Sequence, residues 1–427
     1  WTCSALGHNT VVVDSDDMDS GGRDGGSVEV FDHSNEAVQV VRAEFGTAYP
    51  QTSRYQRETW SIEHPDTDRH AGYLLDLFRV SGGERHEYTL NGDANHDAEM
   101  ATTAETSPYG DYLLPEGVTV TEPETEIDYG DAEGHYYGYI YVRDVERADL
   151  GDGAYELSLS TTVDDQPGSG AHVLGLAGTE TELFLGQSPS VRATRLNGSG
   201  SDTNDEAEKY WMPKLVLRRE GTDLESSFVT MIEPHGADEE LRIEAIELVE
   251  HDGGDDDLAV RVTHLDGTVD LILSSVSGEG TLTAGGVSLT GRLGFVRLVD
   301  DEATLLHLVG GTELTGGGST LSSDGPVTGT ITGTRRVIDQ DEVDALVTTG
   351  EVPDWIAGHT LVVTHPDGKT HPYPVKQVST DGNSTVIELD GVDPGFTVDG
   401  DRSEMVYTPF TRWSGETTFR VDNSESN

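Results

Sequence analysis

Cysteine is almost absent: Cys3 is the only one in 427 residues, so no intrachain disulfide can form and the fold must hold through its core alone. Lysine is nearly missing too. Lys209, Lys214, Lys369 and Lys376 are the whole set, and Lys plus Arg reach only 26 against 80 Asp plus Glu. The Lys and Arg clusters that phosphate contacts need do not occur, which excludes a nucleic-acid binder. No apolar run approaches the ~20 residues of a spanning helix, so no membrane span is expected. No signal peptide is visible, and no regular repeat period supports a propeller or solenoid. The chain opens on Trp1 and passes at once into structured-looking sequence, which reads as the C-terminal portion of a longer protein.

What is present is negative charge, spread along the whole length as a solvated coat. A net charge of -54 repels itself strongly in dilute buffer. At about 1 M salt the screening length falls to about 3 Å and the repulsion largely disappears. The composition is therefore that of a halophilic protein folding in concentrated salt.

Alternating apolar and polar residues recur throughout, as in Tyr155, Leu157 and Leu159 with Glu156, Ser158 and Ser160 between them. That is the period of half-buried strands in antiparallel sheets. Leu258, Val260 and Val262 alternate likewise, Asp266-Gly267 suits a two-residue hairpin turn, and Gly285-Gly286 suits the next. Residues of about 240 to 335 read as one meander. Asp341–Val347 alone reads as a short helix, and the Gly, Ser, Asp and Asn-rich stretch Asn197–Glu208 as a loop. The expected fold is all-β: a large two-sheet antiparallel β-sandwich over residues 1–335, then a smaller C-terminal β-sheet domain over 336–427.

The first hundred residues carry His8, His33, His64, His70, His86 and His96 with Tyr49, Tyr55, Trp60 and Tyr73, and so mark the candidate site. His8 opens onto the strand Val11–Val13, Asp32 ends the next strand, and His64 ends the strand Tyr55–Ile62. Two imidazoles and a carboxylate at strand ends suit zinc with a fourth position open. Spacing alone leaves a chance gathering of His and Asp as the other reading.

Gly7-His8-Asn9-Thr10-Val11-Val12-Val13-Asp14 resembles the start of the β-sandwich portion of heparinase II/III-type polysaccharide lyases, an architecture shared by oligoalginate lyases. Ala48-Tyr49-Pro50, Arg57, Asp76-Leu77-Phe78-Arg79-Val80, His86-Glu87-Tyr88 and Pro213–Gly221 follow in an order similar to that family's, so the resemblance covers about residues 1 to 320. It implies a zinc ion held by His8, Asp32 and His64, with Asp14 or Asp24 as alternatives to Asp32 and His70 as the alternative to His64.

The resemblance also implies β-elimination on a uronic-acid polysaccharide. The proton at C5 beside the uronate carboxylate is very weakly acidic, so that carboxylate must be neutralised, a base must take the proton, and an acid must protonate the departing oxygen. Tyr49 would serve as the phenolic acid or base, with Arg57 or a partner Arg as the positive charge that stabilises its anion; a turn tyrosine before Pro50 is the alternative. The chain departs from the family at Leu6 and Asn91, where histidines are common, and it lacks the helical toroid that carries the remaining catalytic residues. Joined to a toroid, it is expected to act outside the cell on an anionic polysaccharide. A non-catalytic carbohydrate-binding or cell-surface β protein is the other function class.

Overall fold

A computed structural model describes residues 1, 4–18, 26–65, 71–115, 118, 138–151, 153–178, 180–192, 209–407 and 410–427. Asp24, His70 and the expected loop Asn197–Glu208 lie outside them. Among the described residues the fold is all-β, with several antiparallel sheets and no barrel, as expected of a β-sandwich with a smaller sheet after it. The chain divides into two compact units. The first comprises Trp1–Gly21, Gly46–Arg57 and Gly72–Leu241, and the second Gly22–Phe45, Glu58–Ala71 and Arg242–Asn427. No helix among the described residues is long and apolar enough to cross a membrane.

In the first unit, one sheet runs in the order Val11–Val13, Arg85–Asn91, Trp211–Glu220, Thr181–Pro189, Arg143–Gly151, Ser107–Tyr112. A second set of strands runs Gly72–Ser81, Glu225–His235, Gln166–Leu176, Ala154–Val163, Asp97–Thr102. The two face each other through Tyr88 and Phe228, whose rings stack with centroids 5.5 Å apart. The opposite face of the first sheet is covered as well, with Leu6, Val12, Tyr139, Phe184 and Val216 in one apolar cluster. Coverage on both sides explains why Trp211–Glu220 is buried from Met212 to Arg219, including Lys214, Arg218 and Arg219. A charge in such a strand has to find its partner inside the protein.

In the second unit the expected meander is present as far as Ser322, while Val327–Ile331 and Gly333–Arg335, expected to end it, belong to a different sheet. Ile243–Leu248, Leu258–His264, Val269–Ser274, Val287–Val299, Glu302–Gly316 and Ser319–Ser322 pair in chain order, and Ser424–Ser426 returns beside Glu302–Gly316. Leu271, Leu273, Val296, Leu306 and Leu314 form its core. Gly285 and Gly286 make the two-residue turn, both at positive φ (56° and 82°) between the partners Ala284 and Val287. The Asp266-Gly267 turn differs from expectation. His264 N–H donates to Thr268 O and Gly267 N–H to His264 O, so three residues form the loop, and Gly267 takes its left-handed position at φ 89°.

A further seven-stranded sheet among the described residues lies within 327–421, over a core that includes Leu346, Leu361, Val363, Ile387, Phe396 and Phe419. The helix expected over Asp341–Val347 is not formed. Ala345–Thr348 is a strand paired with Gly333–Arg335 on one side and Ser384–Leu389 on the other. Asp341 and Asp344 accept from the backbone N–H groups of Arg336 and Val337. The acidic side chains thus close a turn that competes with a helix start.

Candidate functional site

The expected site residues in the first unit belong to one network around the entrance to strand Val11–Val13. His8 and Asn9 are exposed and Thr10 is buried. Asn9 Oδ1 accepts from Asn91 N–H at 2.8 Å, and the Asn91 side chain donates to Gly7 O at 3.0 Å. Thr89 Oγ1 donates to His8 O. Asn91, one of the two departures noted above, therefore joins Thr89 in tying this segment to strand Arg85–Asn91. It also receives Lys214 Nζ at 2.8 Å.

Arg57 is held on three sides of its guanidinium. Nε and Nη2 each donate to an Asp76 carboxylate oxygen at 2.8 Å, and Nη1 donates to Asn9 O at 2.9 Å. Tyr88 OH donates to the same carboxylate at 2.9 Å. The Arg57 side chain remains 37% exposed while Asp76 is only 4% exposed, so a fixed, permanently charged donor faces solvent beside His8 and Asn9. Burial alone would lower its pKa, and the Asp76 pairing more than reverses that.

Tyr49 is not open to a polymer in this chain: it is 1% exposed, and its hydroxyl donates to Val11 O at 3.4 Å. Burial, followed by the neighbouring Tyr55, pushes its hydroxyl far up, so it is a protonated phenol at neutral pH. Tyr55 OH donates to Val11 O at 2.6 Å and receives the Thr10 hydroxyl at 2.7 Å; burial raises its pKa to about 12.

Asp32 and His64 belong to the second unit. Asp32 lies inside strand Ser27–Asn35 rather than at its end, and its Oδ2 is 2.8 Å from His307 Nε2. Burial works against the Asp32 anion, but the bonds from His307, Ser34 and Ser424 outweigh it and lower its pKa. His64 does follow the end of strand Arg54–Glu63, and its ring meets that of His264 edge-on at 5.7 Å. Asp14, the alternative ligand, accepts the backbone N–H groups of Glu84 and Arg85. Among the described residues no three His, Cys, Asp or Glu side chains gather to hold a metal ion; Asp24 and His70, two of the alternative ligands, lie outside those residues.

Lys214 was not singled out as a site residue from sequence, because a lone lysine in an apolar run carries no signal of its partners. It is fully buried, with Nζ 5.6 Å from the Trp1 ring centroid. Burial lowers its pKa from 10.5 to about 7, against a smaller opposing pull from Glu87. Between about pH 7 and 10.5 the unfolded chain therefore binds the proton that the folded chain releases, so this residue makes stability rise with pH across that window. Below about pH 7 the charged form is buried and its cost is constant. Lys214→Met is expected to stabilise the protein at pH 6 by about 2 kcal/mol, the relieved burial exceeding the lost bond to Asn91, and to flatten the rise between pH 7 and 10. Denaturant unfolding at the two pH values in concentrated salt measures both effects.

No protein-family model matches the chain, and no curated protein does. Among solved structures it is similar to the heparan sulfate lyase HepC from Pedobacter heparinus at 13% identity and TM-score 0.34, over 63% of this chain and 30% of that one. It is similar to a heparinase III gene product at 10% identity and TM-score 0.31, over 69% of this chain and 30% of that one. The chain thus spans 30% of the length of each.

Proposed function

We propose that this chain is the β-sandwich portion of a lyase that cleaves uronic-acid-containing polysaccharide by β-elimination when joined to a helical toroid. The observation that carries the reading is Arg57: a guanidinium locked by Asp76 and Asn9 yet one-third exposed, beside the exposed His8, on a protein otherwise coated in negative charge. Such a group receives the substrate carboxylate, and neutralising that carboxylate acidifies the C5 proton. Tyr49, protonated in this chain, is suited to donate a proton to the departing oxygen if the toroid opens a path to it. On this reading the enzyme works outside the cell or at its surface, where such polymers are met.

The burial of Tyr49 also favours a second reading, a non-catalytic carbohydrate-binding protein in which Arg57 binds and nothing reacts. Incubating the chain joined to its toroid with alginate and glycosaminoglycans in concentrated salt separates the two. Ultraviolet absorbance from unsaturated uronate ends is expected, and Arg57→Ala should lower kcat/KM about 10- to 100-fold through the lost charged hydrogen bonds. Polymer binding with no such absorbance from any uronate polymer would leave the second reading.

A further inference from the structure

The second unit holds a polar group that polysaccharide elimination does not use. His307 lies directly opposite Ser426 in the antiparallel pairing of Glu302–Gly316 with Ser424–Ser426. Its Nδ1 is 2.7 Å from Ser426 Oγ, and its Nε2 is 2.8 Å from Asp32 Oδ2. His307 is fully buried and Asp32 is 8% exposed, whereas Ser426 is exposed. An ionised carboxylate can only accept, so Nε2 carries the ring proton and Nδ1 is left to accept from the Ser426 hydroxyl. Ser34 and Ser424 also bond Asp32.

A fourth residue completes the arrangement. Ala37 N–H donates to Asn35 Oδ1 at 2.8 Å, and this sets the amide so that Nδ2 points at Ser426 Oγ, 2.9 Å away. A donor held at that distance from a nucleophilic oxygen is within reach of the oxyanion that forms on the adjoining carbon.

We propose that Ser426, His307 and Asp32 form a hydrolytic site for small carboxylic esters, acetyl esters being the simplest, with Asn35 donating to the oxyanion. Ser426 Oγ adds to the ester carbonyl as its proton passes to His307 Nδ1. The tetrahedral intermediate expels the alcohol, which takes that proton, and leaves acyl-Ser426. Water then attacks the acyl carbon with Nδ1 again as base, releasing the carboxylic acid and restoring the serine. The two ring nitrogens exchange places relative to the usual serine triad, in which Nδ1 faces the carboxylate. The base is whichever nitrogen lacks the proton, and the bond to Asp32 makes that Nδ1.

The test uses the whole chain in concentrated salt, a fluorophosphonate probe read by peptide mass spectrometry, and p-nitrophenyl acetate turnover. Labelling on Ser426 and turnover above background are expected, both lost in Ser426→Ala. His307→Gln should reduce turnover about 10²- to 10⁴-fold, the usual contribution of a general base. Ser426 is exposed, so Ser426→Ala should keep the parent's melting temperature, which makes the comparison valid even if the buried His307 variant unfolds. No label on Ser426, with turnover equal to that of Ser426→Ala, would overturn the proposal and leave the group as a tie between three strands. No uronate enters this reaction, so its outcome is independent of the lyase reading.

Discussion

Arg218→Ala is expected to destabilise the first unit by about 3–5 kcal/mol, the range for removing one partner of a buried ion pair. Arg218 Nε donates to Glu87 Oε1 at 2.7 Å, with the side chains 4% and 0% exposed. Tyr139 OH donates to the other Glu87 oxygen, and the Arg218 guanidinium lies 4.4 Å from the Phe184 ring centroid. Without Arg218, a carboxylate remains in a covered sheet with a phenol and the costly Lys214 as its neighbours. Equilibrium unfolding in denaturant at constant high salt measures the loss. Pairing Arg218→Met with Glu87→Gln should recover most of it, because no uncompensated charge is then buried. A loss under 1 kcal/mol in Arg218→Ala would mean that water reaches Glu87.

Asp270→Asn should have a comparable effect in the second unit, again about 3–5 kcal/mol. Asp270 is fully buried and takes both bonds of a forked Arg297 contact, at 2.7 and 2.8 Å, with His264 Nε2 at 3.0 Å. Arg297 also donates to Glu63 O at 2.8 Å. An amide offers one acceptor where the carboxylate offered two, and it leaves Arg297 charged without a counterion. The same group sets an acid limit. Burial opposes the Asp270 anion, but Arg297 and then His264 outweigh it and hold its pKa below 3.8. Its contribution is therefore complete above the unfolded value of about 3.9 and is lost as the pH falls through the lower folded value. Thermal melts from pH 6 to pH 2 should show a steep acid branch that is shallower in Asp270→Asn.

Much of the sheet was legible in the sequence because strand periodicity is local. The meander from Ile243 to Ser322 follows chain order, each strand pairing with the next apart from the short Leu282–Ala284, which lies off this path and pairs with Val287–Val299, and Gly-rich turns mark several of the joints. The failures have local rivals as their cause. The acidic residues of 341–344 look like a helix start but close a turn onto Arg336 and Val337, and partners on two sides draw Ala345–Thr348 into a sheet. In the candidate site, Arg57 was expected only as a positive charge for a Tyr49 anion, and its bond to Asn9 O was not legible. Neither was its fixing by Asp76, nor the sealing of Tyr49.

By itself the sequence determined the all-β class, the net charge of -54 and, with Cys3 alone, the absence of an intrachain disulfide. All of these depend on composition or on a two-residue period, which need no knowledge of distant contacts. Only the tertiary structure decided which charges are paired and which side chains meet. Asp32 reaches His307 across 275 positions, and Arg218 reaches Glu87 across 131. The physical reason is that a buried polar group takes whichever partner the sheet register brings to it, and register is set by packing over the whole fold rather than by the residues on either side.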